Sequence, residues 1–155
     1  MHESFMASYV FDHLGEQNSM APEIMASTIW GWNHTKPMPE EVKKQQRIDL
    51  TLFAPQNAPK SEQHPWCFIE LKRNWNVEND YWKLKSLLPL LECPFGAVCG
   101  VLEETEANTR QWLPKETPAG ERFVVSRQWT AKVKERQRTF VVAGYLFPRD
   151  PPGGA

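Results

Sequence analysis

Asp49, Glu70 and Lys72 have the types and spacing to act together on a phosphate ester. Asp49 sits in Arg47-Ile-Asp-Leu-Thr-Leu-Phe, where Ile48, Leu50 and Leu52 alternate with Arg47, Asp49 and Thr51, the two-residue period of a half-buried strand. Glu70 and Lys72 close the apolar run Trp66-Cys-Phe-Ile-Glu-Leu-Lys-Arg73, in which Phe68, Glu70 and Lys72 share one strand face and Cys67, Ile69 and Leu71 the other. An acid and an amine ending an apolar strand are costly to bury unless paired or bound to a metal. If the two strands are neighbours, Asp49 and Glu70 form a hard-oxygen pair suited to Mg²⁺, which takes one or two protein carboxylates plus waters and substrate phosphate. The carbonyl of Leu71, between acid and lysine, could add a further oxygen. A lysine beside such an ion can orient or help deprotonate a water and stabilise charge developing on a phosphate. Arg47, Arg73, Lys83 and Lys85 lie nearby in sequence and are candidates for contacts to a nucleic-acid backbone.

Periodicity, caps and breakers predict the elements that must carry these residues. Phe5, Tyr9, Val10, His13 and Leu14 recur at helical spacing over residues 3–14, with Gly15 as a stop. Residues 24–32 are rich in apolar and β-branched types and predict a strand; residues 36–44 read as a proline-marked charged connection. The Asp49 strand, a proline-rich loop over residues 54–65 and the Glu70 strand follow. Asn79 or Asp80 can cap a helix with Tyr81, Leu84, Leu87 and Leu88 as its apolar stripe, Lys83 and Lys85 on its polar side and Pro89 at its end. Residues 96–102 predict another buried strand. Beyond Glu103 the pattern predicts a helix over 104–113, a short strand over 123–126, a final strand over 139–147 and a loose tail over 148–155. Without an internal repeat or a long linker, residues 1–147 are expected to form one domain. The class is α/β, a mixed central sheet flanked by helices with a C-terminal strand extension.

Ile48-Asp49, a spacer of about twenty residues and Glu70-Leu71-Lys72 resemble the PD-(D/E)xK motif of the restriction-endonuclease-like nuclease superfamily, with isoleucine in place of the motif's proline. The predicted order is similar to that superfamily's αβββαβ core over roughly residues 3–103. The triplet alone has little specificity, since Glu41-Val-Lys43 matches it too; the apolar strand before Glu70, the alternating strand around Asp49 and the helix behind supply the context. The resemblance implies catalytic Asp49, Glu70 and Lys72. It implies Mg²⁺ (replaceable by Mn²⁺) held by Asp49, Glu70 and the Leu71 carbonyl, and hydrolysis of DNA more readily than RNA. Glu3 matches the acid that some members carry on the first helix, and Asp80 with Lys83 and Leu84 resembles the helix that follows the lysine strand. Small members often form homodimers or act beside a protein partner.

Composition restricts the alternatives. The 155 residues carry net charge −1, so the chain is no general polyanion coat and any anion site is local. Three cysteines among apolar neighbours read as buried thiols, and neither they nor His64 have zinc-module spacing. With an acid at position 3 and no long apolar run, a cytoplasmic protein without a membrane span is expected. Seven tryptophans are many for this length; Trp75 and Trp82 could stack on bases, although core packing is the ordinary use. Lys132, Lys134, Arg136 and Arg138 form a cationic stripe if extended. Two other readings suit the same chain: a catalytically silent nuclease-fold binding module, and a phage- or defence-type inhibitor or immunity protein using its tryptophan- and proline-rich C-terminal third.

Overall fold

The computed structural model describes residues 20–44, 47–54, 59–72, 78–103 and 120–152. The helices expected over 3–14 and 104–113, together with Arg73, Trp75 and the last three residues, lie outside the described residues. The elements are β1 (Met20–Met25), α1 (Ala26–Asn33), α2 (Glu40–Lys44), β2 (Arg47–Ala54), β3 (His64–Lys72), α3 (Glu78–Leu90), β4 (Phe95–Glu103), β5 (Arg122–Val133) and β6 (Arg136–Pro148). The strands form one mixed six-stranded sheet in the order β1-β2-β3-β4-β6-β5. Only β3 and β4 are parallel, and α3 makes their crossover.

Where alternation was clear in the sequence, the strands stand as expected. β2 and β3 pair antiparallel from Leu50↔Ile69 to Ala54↔His64, with a register shift opposite Pro65, which has no N–H for the ladder. Helix α3 lays Leu84, Leu87 and Leu88, all fully buried, against Phe68, Val98, Tyr145 and Phe147 of the sheet. Each such side chain contributes on the order of 1.5–3 kcal/mol through burial. A smaller cluster of Leu50 and Leu71, joined by Met20, Ile69 and Cys99, lies on the opposite face.

Four expectations are corrected. The strand expected over 24–32 ends at Met25, and Ala26, Ile29 and Trp30 bury a helical i, i+3, i+4 stripe instead. The charged connection contains α2, whose Val42 is fully buried, so the second acid-x-lysine triplet lies on a helix. The short strand over 123–126 is a twelve-residue strand paired along its whole length with β6. The tail is not loose at its start: Arg149 N–H donates to the Pro94 carbonyl at 2.8 Å, and Asp150 binds Lys85 at 2.7 Å.

All three cysteines are free thiols. Burial pushes Cys67 and Cys93 up to about 12 and Cys99 up to about 11, so none supplies a thiolate nucleophile near neutral pH. Among the described residues no helix is long and apolar enough to cross a membrane.

Candidate functional site

The site forms where β2 and β3 part. Their ladder ends at Leu50↔Ile69, and one step further the antiparallel register sets Asp49 opposite Glu70 on a common face. There the Asp49 side chain takes over from the ladder: Leu71 N–H donates to Asp49 Oδ2 at 2.7 Å. The N–H and carbonyl of one strand residue leave the same edge, so the Leu71 carbonyl also looks toward the β2 side. Asp49 thus lies beside both Glu70 and the Leu71 main chain.

Glu70 is 4% exposed. Burial drives its carboxyl from 4.5 up to about 8; Lys83 opposes the rise and the neighbouring Asp49 adds to it. Two adjacent carboxyls repel when both are charged, and a cation relieves that repulsion. Part of that cation is supplied by α3. Lys83 Nζ donates to Glu70 Oε1 at 2.5 Å and to the Arg47 carbonyl at 2.5 Å, bridging the separating strand ends. Lys72, two residues beyond Glu70 on the same face, pairs with Asp80 Oδ2 at 2.8 Å. Asp80 and Lys83 are one helical turn apart, so two acid–amine pairs of opposite polarity join β3 to α3. Position 100 fixes the backbone beneath them: a Cβ on Gly100 of β4 would stand 2.1 Å from the Lys72 carbonyl oxygen.

The expected backbone contacts divide. Arg47 is largely exposed and lies 3.6 Å from Glu23. Lys83 is drawn into the site rather than left on a polar helix face. Lys85 is not brought to Glu70 at all. Its side chain, 9% exposed, reaches Asp150 at 2.7 Å, the Pro148 carbonyl at 3.0 Å and Glu121 at 3.6 Å, and lies over the Phe147 ring. Trp82 is 60% exposed, and His34 stacks on Trp30 with ring centroids 3.8 Å apart. Asp80, expected as a cap, lies inside the first turn of α3 as the Lys72 partner. A signal for that was available: the 80/83 spacing on one helix face matches the 70/72 spacing on the strand beneath it.

Sequence reasoning missed a second polar cluster. Glu121, 8% exposed, accepts from Tyr81 Oη at 2.7 Å on one oxygen and from Tyr145 Oη on the other. Burial first, then these bonds to Glu121, hold both phenols far above their ordinary range. Gly120, at φ 84, turns the chain into this position.

As a donor set, Asp49, Glu70 and the Leu71 carbonyl fit one hard divalent ion of the Mg²⁺ type, which completes its shell with water. No group of three acid, histidine or cysteine ligands gathers among the described residues. No known protein family, curated protein or solved structure matches this chain.

Proposed function

We propose that this chain is a Mg²⁺-dependent nuclease with a PD-(D/E)xK-type core, in which β1, β2, β3, α3 and β4 stand for the core's βββαβ portion. The observation that supports the reading best is the meeting of Asp49 and Glu70 at the parting of β2 and β3, with Lys72 on the Glu70 face. Asp49, Glu70 and the Leu71 carbonyl would hold the ion. When bound, it supplies Lewis acidity toward a phosphate oxygen and lowers the pKa of a coordinated water. Asp80 holds the Lys72 ammonium in place at 2.8 Å, where it orients the attacking water or stabilises charge on the phosphate. Lys83 binds Glu70 and the Arg47 carbonyl and keeps the strand ends bridged. DNA is the preferred substrate class, and Arg47 is available to a phosphate backbone.

One observation favours a different reading, a nuclease-fold module that binds without cutting. Both amines already have carboxylate partners, as they would in a structural clamp. Incubating the protein with single- and double-stranded DNA and RNA, with and without Mg²⁺ or Mn²⁺, separates the two. Metal-dependent cleavage that falls by about three orders of magnitude or more in Glu70→Ala is expected. Binding without cleavage under every metal condition gives the silent module.

A further inference from the structure

Among the described residues the β5–β6 hairpin outruns the rest of the sheet. Pairing of β4 with β6 ends at Glu103↔Phe140, whereas β5 and β6 stay paired through Thr130↔Thr139 to Val133↔Arg136. Beyond Phe140 the described sheet is therefore a two-stranded ribbon, closed by a two-residue turn at Lys134-Glu135.

Register decides where the ribbon points. Lys72 aligns with Gly100 and Gly100 with Ala143, so the ribbon leaves from the sheet end that carries Glu70 and Lys72. Seven residues of β6 separate Ala143 from Arg136, roughly 23 Å of strand at about 3.3 Å per residue. That is about two-thirds of the roughly 34 Å turn of a duplex.

The ribbon is also cationic, with Lys132 on one face and Arg136 and Arg138 on the other. Thr130 to Thr139 hold Lys132, Lys134, Arg136 and Arg138 against one acid, Glu135, in a chain whose net charge is −1. Lys132, Lys134 and Arg136 are exposed; Lys132 pairs with Glu135 at 3.2 Å across the turn, and Arg138 lies 3.4 Å from Glu103. Lysine on an edge strand commonly guards against edge-to-edge pairing, a use that suits Lys132, while Arg136 and Arg138 add cationic charge on the opposing strand. The turn points the same way. Lys134 and Glu135 take φ 47 and φ 64, left-handed values normally given to Asn-Gly, at a cost of about 1 kcal/mol or more for each residue.

We infer that the β5–β6 ribbon is a grip for double-stranded nucleic acid, with Lys132, Lys134 and Arg136 on the phosphates beside the Asp49–Glu70 site. A two-stranded ribbon fits a major groove about 12 Å wide. Residues 130–139 contain no aromatic, so they lack the stacking platform that a single-strand binder uses. The choice of a duplex rather than an acidic protein rests on the nuclease reading.

The test is fluorescence anisotropy of a labelled duplex of about 20 base pairs against the full chain in EDTA, titrated with salt. The K132Q/K134Q/R136Q variant should bind at least tenfold more weakly at low salt. Its plot of log K against log salt should be shallower by about 2–3, the slope of roughly 0.9 per phosphate contact. A K134N/E135G variant keeps the net charge and relieves the turn; it should melt higher and lose about one unit of slope or less. Unchanged affinity and slope in the folded triple variant overturn the grip, as does binding to polyglutamate but not to duplex. Arm-dependent binding without any cleavage keeps the grip and removes the nuclease; cleavage with arm-independent binding does the reverse.

Discussion

Glu70 and Glu121 are both buried carboxylates approached by a lysine of α3, yet their surroundings differ in kind. Glu121 has a phenolic donor on each oxygen and Lys85 at 3.6 Å, so its charge is met from all sides by groups that cannot leave. Glu70 has Lys83 on one oxygen and another carboxylate, Asp49, beside it. The first cluster closes the helix onto β6 and the approach to β5. The second sets two carboxyl groups side by side with one lysine between strand and helix, a set that a divalent cation can complete by displacing the Glu70 proton. Burial alone therefore does not mark a site; the sign of the nearest neighbours does.

The largest effect that tests this contrast is on stability. Glu121→Ala strips two buried phenols and Lys85 of their acceptor and should cost roughly 3–5 kcal/mol, lowering the melting temperature by about 10 °C or more in circular dichroism. Glu70→Gln, measured without metal at pH 8, should melt no lower than wild type. A comparable fall would make Glu70–Lys83 a second clamp and end the contrast.

Next in size is turnover. Lys72→Ala should cut duplex hydrolysis about a hundredfold, while calorimetric metal binding changes little and Glu121→Gln keeps wild-type cleavage. Unchanged turnover would reduce Lys72 to a partner of Asp80.

The smallest effect sharpens the comparison through pH. The folded chain holds the Glu70 proton up to about pH 8, whereas the unfolded chain releases it near 4.5. The folded form binds more protons in that interval, so metal-free stability falls as pH rises through it. Melting temperatures taken at intervals from pH 5 to 8 should show this decline in wild type and its absence in Glu70→Gln. Mg²⁺ affinity should rise over the same interval, because the ion displaces that proton.

How much of this was legible follows from what each residue answers to. β2, β3 and β4 were readable because one face or both are packed, which forces alternation or apolar runs into the sequence. The stripe of α3 was readable for the same reason. Around Met25 apolar and β-branched residues continue from strand into helix, so composition could not place the change. β5 hid because Gln128, Thr130 and Lys132 on one of its faces are exposed and its turn contains no glycine. The common face of Asp49, Glu70 and Lys72 was legible from strand parity. The inward roles of Lys83 and Lys85 were not, since each answers to an acid supplied by a different strand or loop.

Gly100 has no functional group, yet it governs one. Any other residue there would drive its first side-chain carbon into the main chain of Lys72 and push the end of β3 aside. A screen for inactive variants should therefore recover changes at this chemically mute position alongside the acids themselves. The spacing of Glu70 and Lys72 is held from behind, by an absence of atoms in the neighbouring strand.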